Sequence, residues 1–358
     1  MDNIRIGLIL GNMKNPGAPG RHFCTLAQRL GEDHRVDTVL FGKNDLFTFF
    51  DTSKDIHTIS SSLSPPRWHK YINNYNLDLI YLSGTPLFGG YPAAKSTVPV
   101  VATSHGVRHW KTNIPKNAQF SQKYKWQARI QDWIGALTLD RVFCVSNYVA
   151  DTLASFAPYK QSNLEVTYEA INDVYFDTEE HPRPNNSPKK YALHVATDAG
   201  VKNTQTAIDA IEKCDSDIKL VVAGLSSRDI AADASDNVDS LGFVDQNELV
   251  RWYDHSECLI HPSFHETFGR PVIEAMARQT PVIASEVCAI PEVTKRNALL
   301  VNNPNNSTKF CKYIDKILSD TALASKLCQR GEKQSQQFTW DRHINRLIPK
   351  LKLIVDND

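Results

Sequence analysis

The first apolar block in the chain is RIGLIL, Arg5 to Leu10, which has strand length and no helical period. A Gly- and Pro-rich turn, Gly11 to Gly20, follows it. Beyond the turn Phe23, Leu26, Ala27 and Leu30 recur at helical spacing. VDTVLF at Val36–Phe41 predicts a second strand. Shorter apolar runs at Leu79–Leu82, Val98–Ala102 and Arg141–Val145 predict more, with helical stretches such as Gln122–Leu137 among them. Continuous apolar strands alternating with amphipathic helices predict a parallel sheet covered on both faces.

The alternation stops at Thr178–Lys190 (TEEHPRPNNSPKK), where three prolines and two asparagines leave no apolar period, as in an exposed linker. It restarts with strands at Tyr191–Ala196, Ile218–Gly224, Val238–Leu241, Cys258–Ser263 and Pro281–Ser285. Helices are predicted from about Thr204 and Pro271, and again at the end of the chain. The fold class expected is therefore α/β, with two Rossmann-like domains over 1–178 and 190–338 and a terminal helical segment over 339–358. Doubly wound domains bind ligands at the carboxyl ends of their strands, so the expected site lies in an inter-domain cleft. One larger α/β domain carrying an insertion fits the same pattern less simply.

Composition narrows the function classes. Forty basic residues balance forty acidic ones, which argues against a nucleic-acid partner. The seven cysteines include no CxxC pair, so neither a zinc site nor a redox motif is expected, and a reducing cytoplasmic setting suits them. No run approaches the ~20 apolar residues of a membrane span, and MDNIR at the start does not read as a leader. The Asn-Asn-Ser inside the linker is formally a glycosylation sequon.

The densest chemistry lies in HPSFHETFGRPVIEAMARQTPVIAS, His261 to Ser285. A strand ends, a turn carries Glu266, and Pro271 stands where a helix begins, a position that suits its fixed φ and missing N–H. Backbone N–H groups near Phe268 and Gly269 make a cradle for a diphosphate, which Gly269 lets approach closely. Glu266 and Glu274 flank that cradle, and carboxylates grip paired hydroxyls of sugars and riboses.

This segment resembles the E-x7-E signature of the retaining glycosyltransferases of group 1, which have the GT-B fold of two facing Rossmann-like domains. The resemblance implies that Glu266 contacts the hydroxyls of the donor sugar and Glu274 the nucleotide ribose. It extends to FCVSNYVADTLASF from Phe143 and VTYEAINDVYF from Val166. Further on it takes in Val238–Ser263, where Gly242, Phe243 and Val244 would border the nucleobase, and AIPEVTKRNALLV, Ala289 to Val301. FTWDRHINRL near Trp340 is similar to the family's final helix, which packs back on the N-terminal domain. The family's Arg–Lys pair for the diphosphate is reduced here to Lys202, with Thr197 at the Arg position. Arg270 is the nearby residue that would supply the missing charge, because a lone Lys gives no bidentate contact.

In the N-terminal half, Gly17 and Gly20 follow the first strand, in a loop that the resemblance places beside the donor phosphates. His105, in VVATSHGVRHW, resembles the family's histidine at the reaction centre. The catalytic set expected is thus His105, Lys202 and Glu266. Arg108 to Arg129 holds six basic residues and no acid, with Trp110, Phe120, Tyr124 and Trp126 among them. That composition suits a peripheral membrane contact or a lipid-phosphate acceptor as well as a solvated face.

Asp215-Ser216-Asp217 spells a DxD, but it precedes a strand and so lies at the wrong end of a sheet for the cleft. No catalytic metal and no cofactor are expected beyond the nucleoside-diphosphate sugar as donor substrate. The acceptor would be a glycan, a lipid-linked molecule or another hydroxyl. Two competing readings use the same fold: a nucleotide-sugar epimerase, and a non-catalytic nucleotide-binding subunit, which Thr197 and the weakened Glu169–Asn172 turn would favour.

Overall fold

The computed structural model describes residues 3–9, 18–42, 56–58, 73–84, 96–106, 122–179, 181–196, 200–226 and 236–357. They form two compact units, each with its own parallel sheet.

The first unit runs to Ala170 and takes back the last helix, Trp340–Asp356. Its strands are β1 (Ile4–Ile9), β2 (Val36–Gly42), β3 (Ile56–Thr58), β4 (Leu79–Leu82), β5 (Val100–Ser104), β6 (Arg141–Cys144) and β7 (Leu164–Val166). They lie in the order β3-β2-β1-β4-β5-β6-β7, all parallel. Strand β5 starts two residues later than the apolar run suggests. Pro99 has no N–H for the ladder and uses only its carbonyl, which accepts from the Ile80 N–H.

Helices α1 (Ala18–Glu32), α2 (Gln122–Thr138) and α3 (Asn147–Phe156) belong to this unit. The Ser146 side chain caps α3 by accepting from the Val149 N–H. Phe23, Leu26 and Leu30 of α1 enter one core with Ile6, Leu8 and Tyr81. The terminal helix adds Trp340, Ile344, Leu347, Ile348, Leu351 and Ile354 to the same core, a spacing that puts them on one helical face.

The second unit has β8 (Tyr191–Val195), β9 (Lys219–Ala223), β10 (Val238–Gly242), β11 (Cys258–His261), β12 (Val282–Ser285) and β13 (Leu299–Val301). Their order is β10-β9-β8-β11-β12-β13, again parallel throughout. Its helices are α4 (Thr204–Glu212), α5 (Gln246–Asp254), α6 (Arg270–Ala277), α7 (Ile290–Thr294), α8 (Ser307–Ser319) and α9 (Thr321–Ser335). The order reverses between β8 and β11, so the loops leaving those two strands diverge around one crevice. Ligands of open α/β sheets bind at such a switch point.

The units divide between Ala170 and Ile171, earlier than the Pro-rich stretch suggests. Residues 171–178 pack with the second unit because Tyr175, buried, meets the Tyr253 ring at 5.9 Å. The Pro-rich stretch is itself tied down. His181 Nδ1 and Arg278 Nε bind the Asp254 carboxylate at 2.9 and 2.6 Å, and Arg251 Nε donates to the Pro182 carbonyl at 3.0 Å.

Candidate active site

The loops after β8 and β11 are joined before any functional side chain is considered. The Phe264 N–H donates to the Val201 carbonyl at 2.9 Å. Asn203, in the left-handed region at φ 54°, sends its amide to the carbonyls of Pro262 (3.0 Å) and Pro304 (2.9 Å). Asn tolerates that backbone better than most residues and here satisfies two buried carbonyls as well. Lys202 is thereby held at the end of a 3-10 turn, Gly200–Lys202, facing the loop that carries Glu266.

Three side chains converge there. Lys202 Nζ lies 2.6 Å from Glu266 Oε1, and His261 Nε2 lies 2.8 Å from the same oxygen. Ser263 Oγ is 3.1 Å from His261 Nε2. His261 is fully buried, and Glu266 nearly so. Burial pushes the Glu266 carboxyl up, but the Lys202 charge and the His261 contact outweigh it and hold the group well below the usual carboxylate range. For His261 burial dominates and lowers the pKa, so the ring is neutral at pH 7. An ionised carboxylate only accepts, so the His261 proton sits on Nε2. Among the described residues nothing donates to Glu266 Oε2.

The backbone around Glu266 is fixed by the Ala289 N–H, which donates to its carbonyl at 3.1 Å. His265 is also buried. Its Nδ1 is 3.2 Å from Cys288 Sγ, so the two histidines of HPSFH serve different partners.

Gly269 precedes α6 with φ +89°, and a Cβ there would stand 2.5 Å from Ile290 Cδ1. Both the conformation and the space require glycine. The Phe268 side chain is buried, with its ring 5.3 Å from that of Phe338, so only its backbone is offered to a ligand. Arg270 opens α6, half-buried, and its charge bears on the Tyr175 phenol. Glu274, one turn into the helix, is buried, and its Oε2 accepts from the Tyr253 hydroxyl at 3.1 Å. Burial and the Glu274 charge together push the Tyr253 phenol well above its ordinary value.

Gly242 closes the edge strand β10, and Phe243 and Val244 follow it, with Phe243 86% exposed. They share the carboxyl side of the sheet with Lys202 and Glu266, two strands away from β8. Asp215 and Asp217 lie before β9, at the opposite end of the sheet, where Ser216 Oγ donates to Asp315 at 2.7 Å.

In the first unit His105 follows β5, with Nδ1 3.8 Å from Glu169 Oε1 and the His22 ring 5.1 Å away edge-on. His22 stacks on Trp340, and its Nε2 accepts from the Ala170 N–H at 3.4 Å. Gly20 is buried within α1. Gly17, Thr197 and the basic positions 108–121 lie outside the described residues.

Among the described residues two groups, His22–His105–Glu169 and Cys214–Cys311–Asp315, each bring three potential ligand atoms within 4.8 Å of one another. In the second group burial pushes both thiols up, and they donate to the Ala210 and Lys213 carbonyls.

The sequence reading missed His261 and Tyr253 as partners of the two glutamates, and Ser263 as a partner of His261. The signal for His261 was present: a polar residue closing an otherwise apolar buried strand, five positions before an acid.

Comparison with known proteins identifies the family and the fold. The profile of the glycosyl transferases group 1 matches residues 176–334, and that of Glycosyltransferase Family 4 matches 19–174. O-antigen chain mannosyltransferase B of Escherichia coli is 34% identical over 114 residues, 32% of this chain and 30% of that protein, so the match spans less than a third of its length. A glycosyltransferase crystal structure from Rickettsia africae aligns over 100% of both chains, with TM-score 0.77 and 21% identity. HepE of Anabaena, solved with UDP and glucose, aligns over 98% of this chain and 100% of its own, with TM-score 0.74 and 16% identity. The two profiles follow one another over residues 19–174 and 176–334, nearly the whole chain, the solved structures share its GT-B fold, and the chain belongs to the glycosyltransferases of group 1.

Proposed function

We propose that the chain transfers a sugar from a nucleoside-diphosphate sugar to a hydroxyl of a glycan or lipid-linked acceptor, with retention at the anomeric carbon and without a metal. The observation that carries this reading is the meeting of Lys202, His261 and Glu266 at the switch point of the second sheet, beside the glycine-opened start of α6. A fixed cation and a helix N-terminus suit a diphosphate, and a buried ionised carboxylate with one oxygen unengaged suits a sugar hydroxyl. The UDP and glucose bound by HepE and the mannosyltransferase activity named for the E. coli relative support the same class of donor.

In this reading the bond between the anomeric carbon and the phosphate oxygen breaks as positive charge grows on the sugar. Lys202, the α6 N-terminus and Arg270 stabilise the departing diphosphate. Glu266 Oε2 orients the sugar, while Glu274, braced by Tyr253, holds the ribose. The acceptor oxygen attacks from the face the diphosphate leaves, and a phosphate oxygen takes its proton. His105, at the carboxyl end of β5, contacts the donor sugar or the acceptor.

The test is a thermal-shift and calorimetry screen of UDP-, GDP- and ADP-sugars, followed by chromatography of released nucleoside diphosphate with excess chelator present. Binding of one such donor and chelator-resistant release are expected, with proton NMR showing the product anomer unchanged. No affinity for any of these donors would end the proposal. A trapped glycosyl–enzyme adduct would replace its mechanism.

A further inference from the structure

Helix α2 (Gln122–Thr138) is amphipathic in an inverted sense. Ala128, Asp132 and Gly135 lie on its buried face, at positions i, i+4 and i+7. On the opposite face Trp126, Ile130, Trp133 and Leu137 continue the same spacing and are 61%, 52%, 50% and 73% exposed. Four of the six large hydrophobic side chains recorded as exposed among the described residues therefore form one stripe, two turns of it anchored by tryptophan. Single exposed hydrophobics are ordinary; an ordered stripe is not.

The charge around the stripe selects its partner. Trp126 carries the Arg129 guanidinium 5.7 Å from its ring centre, so a cation lies beside the apolar edge. Arg108, Lys111, Lys116, Lys123, Lys125 and Arg129 make six positive residues in the sequence leading into and through the first half of the helix, with no acid until Asp132, which is buried. Tryptophan sits well at the boundary between headgroups and acyl chains, and leucine and isoleucine reach just beneath it. Basic residues at that depth gain about 1 kcal/mol each from anionic lipid.

We propose that α2 lies in the plane of an anionic membrane surface, with Trp126, Ile130, Trp133 and Leu137 seated in the interface and Lys125 and Arg129 against lipid phosphates. The stripe, rather than the basic run alone, makes this a lipid-binding surface. The inference does not rest on the transfer reading: a protein that bound no nucleotide sugar would still be expected to bind vesicles, and the reverse.

The experiment uses the full chain with vesicles of phosphatidylcholine alone and of phosphatidylcholine with phosphatidylglycerol, scored by co-sedimentation and by tryptophan emission. Binding to the anionic vesicles with a blue shift is expected. W126S/W133S and I130S/L137S should each weaken it at least tenfold without changing the melting temperature. K125Q/R129Q should weaken it and flatten its salt dependence. Three outcomes would overturn the proposal. The anionic vesicles fail to sediment the wild type; W126S/W133S dissolves a dimer that vesicles do not disperse, making the stripe an interface between copies; or acrylamide quenches wild type and W126S/W133S alike without lipid, meaning the chain itself covers the stripe.

Discussion

Glu266 Oε1 receives both Lys202 Nζ, at 2.6 Å, and His261 Nε2, at 2.8 Å, so a single oxygen takes a full positive charge and a neutral donor together. One oxygen saturated and the other open makes the carboxylate a directed acceptor. The same arrangement occupies the Lys202 cation, so a diphosphate bound as proposed would share or displace that contact.

Breaking this pair from one side should cost more than removing both charges. Lys202→Met leaves Glu266 ionised and nearly buried, and a loss of about 2–4 kcal/mol is expected. The double variant K202M/E266Q should recover more than half of that, because no uncompensated charge remains. Urea denaturation of the four proteins measures both numbers. Additive losses would mean that the two groups are not coupled.

His261 acts through Glu266 and is a positioning residue. His261→Phe fills the volume but removes the Nε2–H donor, and a hydrogen bond to a charged group is worth about 1.5–3 kcal/mol. A fall of roughly 10- to 100-fold in kcat/KM is expected. With less holding the Glu266 carboxylate, the acid limb of the pH profile should move upward. His261→Gln, which keeps a donor, should restore part of both. An unchanged acid limb would leave His261 with a purely structural role.

Acid should destabilise each unit on its own account. Burial draws His194 in the second unit down to about 3 and His343 in the first to about 4. An unfolded histidine titrates near 6.5, so below that pH the unfolded chain takes up protons that the folded one refuses. Stability is therefore complete above about pH 6.5. It falls by about 1.4 kcal/mol per pH unit for each such histidine until the folded values are reached. The depressed Glu266 adds a loss in the same direction, below the ordinary carboxylate range. Urea midpoints at pH 7.5, 6.5 and 5.5 should drop only across the second interval; a flat series would contradict the burial argument.

Gly269→Ala should destabilise the second unit by two separable effects. The left-handed backbone costs an alanine about 1–2 kcal/mol, and the new methyl meets Ile290 Cδ1. Ile290→Val removes that atom, so G269A/I290V should be less destabilised than the sum of its parts. Melting curves of the three variants decide it. Strict additivity would show that the contact has no effect.

Much of this molecule can be read along the chain. Strand–helix alternation, the interruption near residue 180 and the Pro271 helix start all follow from local rules, because apolar period and proline geometry act within a few residues. The GT-B fold was legible from them together with the segment around Glu266 and Glu274. Other features depend on sheet order. Lys202 and Glu266 are 64 positions apart and meet only because β8 and β11 are neighbours; Glu274 and Tyr253, on α6 and α5, meet because both helices follow strands of that sheet.

Chain position also misjudges Thr178–Lys190, where Asp254, Arg251 and Arg278 supply partners that no local pattern reveals. Helix α2 gives the sharpest contrast. Trp126, Ile130, Trp133 and Leu137 make the more apolar of its two faces, so periodicity alone would have packed the side that the structure leaves exposed. Long-range packing buried the small residues Ala128 and Gly135, the latter so close to the Tyr159 hydroxyl that a Cβ would stand 2.5 Å from it, and left the tryptophans outside. Local pattern thus determines which elements form, whereas long-range packing determines which side chains share an atom, because only the assembled sheets bring distant positions within a hydrogen bond.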